Sequence, residues 1–213
     1  MVSDLVIYGA GGLGRETALM VQQINAHQKQ WDLLGFFDDG KQKGAQIDGL
    51  PVLGGVHDLN TTTAPLSVAV AISNPQARKK IIAQISNSLI QFPVLVHPSA
   101  QTGSDTNIFE QGTIITAGVI LTTGITLGAF VIVNLDTTIG HDVQVGAFTA
   151  IMPGCRISGN VHIGEEVLLG TGAVILQNLT IGNSSKVGAG AVVIKEVAAG
   201  HTVVGVPAKS VKR

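Results

Sequence analysis

The sequence is poor in three residue classes that most globular proteins use freely: aromatic residues, charged residues and cysteine. Of its 213 residues, 4% are aromatic and 13% are charged, against 45% that are hydrophobic. A hydrophobic fraction of that size excludes intrinsic disorder, and the shortage of rings predicts a core of stacked aliphatic side chains. The single cysteine, Cys155, excludes an internal disulfide framework and a zinc site built from cysteines.

Strong net charge and long apolar runs are also missing. The formal net charge of −1 provides no attraction to nucleic acid or to anionic lipid. No apolar stretch reaches the roughly 18 residues that a membrane span needs. The N-terminus has neither a basic start nor a cleavage site. We therefore expect a cytoplasmic protein, of one large domain or two small ones.

The first part of the chain, residues 1–96, alternates short apolar runs with helical patterns. We predict strands at Leu5–Tyr8, Leu33–Phe37, Leu66–Ile72 and Phe92–Val96, and helices at Arg15–Asn25 and Gln76–Ile85. Strands that alternate with helices are typical of a parallel sheet covered by helices. The pattern predicts a Rossmann-like α/β domain over residues 1–96.

The second part of the chain contains a six-residue repeat. Every sixth residue from Leu127 to Val193, twelve in succession, is Val, Ile or Leu, and in seven of the twelve cases Gly follows. This period fits a short strand and a corner that recur, with three units closing a coil of roughly 18 residues. We predict a hexapeptide β-solenoid with a C-terminal tail over residues 97–213, and about five coils. The aliphatic residue should face inward, and the glycine beside it should let the backbone turn.

A glycine-rich segment, Gly9–Gly14, lies between the first predicted strand and the first predicted helix. Its sequence GAGGLG fits G-x-G-x-x-G, in which the glycines let backbone N–H groups approach phosphate oxygens. Asp38 and Asp39 end the second predicted strand, where a carboxylate can accept hydrogen bonds from a ribose. Ser73 and Asn74 follow the third predicted strand at the same sheet edge and are candidate ligand contacts.

The glycine segment allows three interpretations: a tight turn without a ligand, an NAD site, or a site for a mononucleotide or sugar nucleotide. A domain of about 95 residues is half the size of a dinucleotide-binding fold. Nothing downstream resembles a hydride-transfer site. The size therefore favours a mononucleotide or a sugar nucleotide.

His141 is the catalytic candidate in the repeat region. It lies two positions after the inward residue Ile139, near a corner, so it should face solvent or a neighbouring subunit. An imidazole titrates near neutral pH and suits a general base, and the adjacent Asp142 can fix its tautomer. The alternative is a surface histidine without function. A zinc site is not expected, because His162 is not one coil away and no third histidine completes a set.

The arrangement as a whole resembles the hexapeptide-repeat sugar O-/N-acetyltransferases, the group of sialic acid O-acetyltransferases and bacillosamine-type nucleotide-amino-sugar N-acetyltransferases. The matching segments follow in the same order and are Tyr8–Glu16, Gly35–Asp39, Pro51–Gly55, Ala71–Lys80, Val96–Ala100, Ile139–Gly146 and Val203–Lys209. The resemblance implies a left-handed solenoid, a homotrimer, and acetyl-CoA as co-substrate without a metal.

The resemblance also implies roles for individual residues. His141 matches the catalytic base and Asp142 the acidic residue that supports it. The residues that match sugar-nucleotide or substrate contacts are Gly11, Gly12, Leu13, Asp38, Asp39, Ser73 and Asn134. Those that match the acetyl-CoA site are Ala150, Thr171, Gly188, Ala189 and Lys209.

Two positions depart from the family pattern. Leu13 stands where members often have a histidine in the glycine turn, and Ala150 where they often have a second histidine beside the acetyl group. Both replacements remove polar contacts, so the sequence leaves the sugar unspecified.

We expect an acetyltransferase that moves acetyl from acetyl-CoA to the amino group of a nucleotide-linked amino sugar. The alternatives are an O-acetyltransferase acting on sialic acid or a related free sugar, and a catalytically weakened homologue that binds CoA or a sugar nucleotide. A nicotinamide oxidoreductase is a fourth interpretation. We expect neither nucleic acid nor a membrane as a partner.

Overall fold

The computed structural model describes residues 2–211. The chain divides into two compact units, one ending at Pro98 and the other beginning at Ser99. Each unit has buried aliphatic residues of its own. None of the helices within residues 2–211 is long and apolar enough to cross a membrane.

The first unit is an α/β unit with a mainly parallel sheet. Its strands are β1 (Ser3–Tyr8), β2 (Trp31–Phe37), β3 (Gln46–Ile47), β4 (Leu50–Gly54), β5 (Leu66–Val70), β6 (Ile90–Gln91) and β7 (Leu95–Val96). Its helices are α1 (Gly12–His27), α2 (Val56–Asn60) and α3 (Pro75–Ile82). The sheet order is β3-β4-β2-β1-β5-β6, and only the β3–β4 pair is antiparallel. The predicted α/β class is confirmed.

The central strand β1 brings the candidate ligand segments to one sheet edge. Leu5–Ile7 are 0% exposed, since a strand between two parallel neighbours is covered on both faces. Tyr8, at the end of β1, pairs with Phe37 of β2 and with Val70 of β5. The segments that follow these three strands therefore leave the sheet side by side.

The predicted strand at Phe92–Val96 is shorter in the structure, where β7 covers only Leu95–Val96. Pro93 lies in the missing part and has no N–H group to donate to a neighbouring strand.

The second unit is a β-solenoid. Between residues 108 and 193 it has fifteen two-residue strands: β8 (Ile108–Phe109), β9 (Ile114–Ile115), β10 (Ile120–Leu121), β11 (Thr126–Leu127), β12 (Ile132–Val133), β13 (Thr138–Ile139), β14 (Gln144–Val145), β15 (Ala150–Ile151), β16 (Arg156–Ile157), β17 (His162–Ile163), β18 (Leu168–Leu169), β19 (Val174–Ile175), β20 (Thr180–Ile181), β21 (Lys186–Val187) and β22 (Val192–Val193). The tail adds β23 (Thr202–Val204) and the antiparallel β24 (Lys209–Ser210).

Three parallel sheets form the walls of the solenoid. They are β10-β13-β16-β19-β22, β8-β11-β14-β17-β20 and β9-β12-β15-β18-β21-β23. From Leu127 to Ile175, each repeat residue pairs with the residue 18 positions later, as Ile139 does with Ile157. The predicted coil of 18 residues and three strands is confirmed.

The inward ladder predicted from the repeat is present. All twelve aliphatic residues, from Leu127 to Val193 in steps of six, are at most 3% exposed. A second ladder lies two positions earlier and was not predicted. Its members are 0% exposed: Ile125, Val131, Thr137, Val143, Thr149, Cys155, Val161, Val167, Ala173, Ser185 and Ala191.

The glycines that follow the inward residues do not make the turns, and this prediction was wrong. The backbone turns two residues later, at fourteen successive corners from 112 to 190 with positive φ, eight of them not glycine, such as Asp142 with φ of 58°. A Cβ on Gly146 would lie 2.6 Å from the backbone nitrogen of Glu165 in the next coil. These glycines therefore let adjacent coils approach closely.

Candidate active site

The glycine segment between β1 and α1 borders a cavity of about 360 Å³, here called the turn cavity. Six predicted contact residues line it together: Gly11, Gly12, Leu13, Asp38, Asp39 and Ser73. The structure therefore brings these residues to one place at the carboxyl ends of β1, β2 and β5.

The four glycines of this segment fall into two pairs with different structural requirements. Gly9 has a φ of 103°, and a Cβ on Gly14 would lie 1.8 Å from the carbonyl oxygen of Gly9. A Cβ on Gly11 or Gly12 would meet nothing within 4 Å. Gly9 and Gly14 thus hold the turn against the helix, while Gly11 and Gly12 leave space open beside the helix N-terminus.

The N-terminus of α1 has the electrostatic character of an anion site. Gly11 caps the helix without a side-chain hydrogen bond, and the first turn has no acidic residue. The first backbone N–H groups of a helix have no partner within it, and the helix dipole places partial positive charge there. An anionic group such as a phosphate fits this position.

Asp38 accepts backbone hydrogen bonds with both carboxylate oxygens, one of them from the glycine segment. Oδ2 accepts a hydrogen bond from the backbone N–H of Ala10 at 2.8 Å, and Oδ1 accepts one from Gly40 at 2.8 Å. Each oxygen keeps a second lone pair for a ligand. Asp38 therefore shapes the cavity wall even before a ligand binds.

Asp39 is bound to the buried phenol of Tyr8. The Tyr8 hydroxyl donates to Oδ2 at 2.5 Å, and the backbone N–H of Val56 donates to Oδ1 at 2.8 Å. Burial, followed by the hydrogen bond to Asp39, raises the pKa of Tyr8 far above its ordinary value. The phenol therefore stays protonated at neutral pH and orients the carboxylate at the cavity.

Asn74 has a structural partner that the sequence did not reveal. Its side chain caps α3 by accepting a hydrogen bond from the backbone N–H of Ala77 at 2.9 Å. It is absent from the lining of the turn cavity, whereas the neighbouring Ser73 lines it. Asn74 is an N-cap residue in this structure, and its side-chain oxygen is bound to the first turn of α3.

Arg78 holds one side of the turn cavity in place, a role that the sequence did not predict. It is 1% exposed, and its guanidinium donates hydrogen bonds to the carbonyl oxygens of Ile72 and Ser73. Burial lowers its pKa to about 9. The arginine fixes the backbone that carries Ser73.

His141 and Asp142 are in contact at the corner that follows β13. Nδ1 of His141 lies 2.8 Å from Oδ2 of Asp142, and the two side chains are 63% and 66% exposed. A carboxylate only accepts, so Nδ1 carries the proton and Nε2 keeps its lone pair. The pair can therefore accept a proton at Nε2 from a substrate.

The residues expected to contact CoA lie on a different edge of the solenoid. Thr171 follows β18, and Gly188 and Ala189 follow β21. Asn134, which was expected to contact the substrate, follows β12, and these three strands share one sheet. His141 follows β13 in the next sheet around the coil. Within one chain the structure does not bring His141 together with this group.

The other two residues expected at the CoA site differ in exposure. Lys209 is exposed in β24. Ala150 is 0% exposed in β15 of the single chain. Its contact with acetyl-CoA stays a prediction. Within residues 2–211 no group of three or more His, Cys, Asp or Glu side chains is placed to hold a metal ion.

Two family models match the chain, one in each unit. The PglD N-terminal domain matches residues 4–85, and the bacterial transferase hexapeptide repeat matches residues 160–195. The fold and the sites thus define a two-unit protein with a PglD-type α/β unit and a hexapeptide-repeat solenoid.

Solved structures cover almost the whole chain. The acetyltransferase domain of PglB from Neisseria gonorrhoeae FA1090, in complex with acetyl coenzyme A, is 34% identical, covers 99% of this chain and 100% of its own, and has a TM-score of 0.88. PerB from Caulobacter crescentus, in complex with CoA and GDP-perosamine, is 27% identical, covers 100% of this chain and 99% of its own, and has a TM-score of 0.86. The chain belongs to the hexapeptide-repeat sugar acetyltransferase family, which is a family of acyltransferases.

A curated relative gives a partial match. The GDP-perosamine N-acetyltransferase of Escherichia coli O157:H7 is 32% identical over 139 residues. The match covers 65% of this chain and 62% of that protein, so the chain spans less than two thirds of the relative.

Proposed function

We propose that this chain transfers the acetyl group of acetyl-CoA to the amino group of a nucleotide-linked amino sugar, with His141 as the general base. The observation that carries the proposal is the exposed hydrogen-bonded pair of His141 and Asp142 at a solenoid corner. The similarity over the full chain to a PglB domain in complex with acetyl coenzyme A, and to PerB in complex with CoA and GDP-perosamine, supports it.

The proposed reaction uses the pair as follows. Asp142 accepts a hydrogen bond from the Nδ1–H group of His141, so the lone pair stays on Nε2. Nε2 takes a proton from the sugar amine as the nitrogen attacks the thioester carbonyl. The C–N bond forms, the C–S bond breaks, and CoA leaves as the thiolate. General base assistance contributes about 10²–10⁴-fold, and holding both substrates in place contributes the rest.

We place the nucleotide of the sugar in the turn cavity. The open space beside Gly11 and Gly12 at the start of α1 would hold the phosphates. Asp38 and Asp39 would accept hydrogen bonds from the nucleoside. Ser73 would contribute a hydroxyl from the third side of the cavity.

We also propose that the enzyme is a homotrimer. The proposed base and the proposed CoA residues lie on different edges of one solenoid, so a single chain cannot form the complete site. In a threefold assembly, each interface joins one edge of a chain to a different edge of the next. Acetyl-CoA would lie in that groove, reached by His141 from one side and by Thr171 and Ala189 from the other. We place the enzyme in the cytoplasm with its two substrates.

A thiol-release screen with acetyl-CoA tests the activity. UDP-, GDP- and dTDP-linked amino sugars are the acceptors, GDP-perosamine among them because a relative is named for it. Sialic acid is the comparison. We expect turnover with one nucleotide-linked amino sugar. Turnover only with a free sugar would support the O-acetyltransferase instead, and calorimetric binding of CoA without turnover would support a weakened homologue.

A further inference from the structure

Gly159 lies one coil beyond His141, and the imidazole of His141 occupies the space of its missing side chain. A Cβ built on Gly159 would lie 2.3 Å from Nε2, 2.6 Å from Cε1 and 2.8 Å from Cδ2 of His141. Two non-bonded heavy atoms do not approach so closely. Any other residue at position 159 would therefore displace the ring.

The backbone conformation of Gly159 does not explain why the residue is glycine. Its φ lies outside the positive range that side chains avoid, unlike that of Gly154 with φ of 72°. An alanine could adopt this backbone without strain. Space for the His141 ring is the feature that requires glycine here.

The main chain of the His141–Asp142 pair is fixed by the coils on both sides. The Asp142 N–H group donates to the carbonyl oxygen of Thr123 at 2.9 Å, and the Asn160 N–H group donates to the carbonyl oxygen of His141 at 2.7 Å. The ring can then move only by rotation of its own side chain. Asp142 holds the ring at Nδ1, and the Nε2 side of the ring lies against Gly159.

We propose that Gly159 is a positioning residue: by having no side chain, it lets the imidazole of His141 lie against the next coil while Nδ1 stays on Asp142. This inference rests on the proposed role of His141 as general base. Gly159 acts on the reaction through the ring.

The variant Gly159→Ala should push the ring out of this position and break its bond to Asp142. Because the loss acts through the general base, kcat should fall about 10- to 100-fold, within the range of that contribution. KM for acetyl-CoA and for the sugar should change less than about threefold. Gln177→Ala alters the same column of the solenoid one coil further on, at an exposed residue, and is the matched control.

Nitrogen NMR of the full-length protein reports the ring without relying on activity. His141→Ala assigns the His141 signals among the six histidines. In the wild type we expect the tautomer with the proton on Nδ1, and in Gly159→Ala a shift toward the Nε2–H tautomer. Unchanged His141 signals in Gly159→Ala would overturn the positioning role, whatever the activity.

A double-mutant cycle separates this role from a general structural effect. In the His141→Ala background the clash is absent, so Gly159→Ala should lower neither kcat nor Tm further. An equal loss in both backgrounds would overturn the inference. Shifted NMR signals with wild-type kcat would also overturn it, because the ring position would then not serve the reaction. Full turnover in His141→Ala alone would instead refute the base assignment, a result the NMR shifts distinguish from failure of the ring contact.

Discussion

His141 is exposed and makes its one described side-chain hydrogen bond to Asp142, so its removal should affect chemistry more than folding. We predict that His141→Ala lowers kcat by about 10²–10⁴-fold, the contribution of a general base. The Kd for CoA should stay within about threefold, because the proposed CoA residues lie on another edge. Steady-state thiol release and calorimetry measure the two quantities. A His141→Ala enzyme with unchanged kcat would contradict the assignment.

Two glycines of the segment at the start of α1, Gly12 and Gly14, allow a matched pair of substitutions. A Cβ on Gly14 would meet the fixed backbone oxygen of Gly9, whereas a Cβ on Gly12 would meet open space. We predict that Gly14→Ala lowers Tm strongly or prevents folding of the first unit. Gly12→Ala should fold, with up to about 1 kcal/mol of added stability from helix propensity, yet weaken nucleotide-sugar binding at least about tenfold, since its methyl group fills the proposed phosphate site.

Thermal unfolding and calorimetric titration with the nucleotide sugar check this pair. Binding by Gly12→Ala at wild-type affinity would argue against phosphate contact at the turn. A wild-type Tm for Gly14→Ala would argue against the tight approach of α1 to Gly9.

The end of β7 is joined to α1 through a buried histidine. His97 is 9% exposed, and its Nε2 lies 2.9 Å from Oε1 of Gln23. Burial lowers the pKa of His97 below its ordinary value of 6.5. On acidification through that region, the unfolded chain takes up a proton before the folded chain does, so stability is lost as pH falls.

We therefore predict that the Tm of the wild type falls between pH 7 and pH 5 by more than that of His97→Gln, which cannot be protonated. Thermal unfolding at several pH values measures the difference. Parallel pH dependence in the two proteins would show that His97 does not contribute.

The strands and inward residues could be predicted wherever the repeat is carried by aliphatic side chains. The second ladder could not, because residues such as Thr149 and Cys155 are small or polar. They fit inside because each donates a hydrogen bond to a carbonyl oxygen of the next coil.

The proximity of Asp38, Asp39 and Ser73 could be predicted, because neighbouring parallel strands end at the same edge of a sheet. The capping role of Asn74 and the burial of Arg78 and Ala150 depend on tertiary packing, which no local pattern encodes.

At the scale of the whole molecule, the two groups of site residues lie on separate solenoid edges, which makes subunit complementation the decisive experiment. Ala189→Trp should fold, since Ala189 is exposed, and should block the proposed CoA groove. A chain with His141→Ala keeps the solenoid edge that carries the proposed CoA residues. A chain with Ala189→Trp keeps the proposed base, His141. Each variant alone should be inactive.

In each mixed trimer of the proposed assembly, one of the three interfaces joins the intact base of one chain to the intact CoA-binding edge of its neighbour. Random co-assembly of equal amounts should therefore restore about a quarter of the wild-type sites over all trimers, and about a third in the mixed trimers alone. Two differently tagged chains, co-expressed and purified through both tags, allow kcat per site to be measured, and the separately purified variants mixed without co-assembly are the control. Background activity in the mixed trimers would mean that each solenoid supplies base and CoA contacts to its own site, because only an intersubunit site regains a complete set from two defective chains.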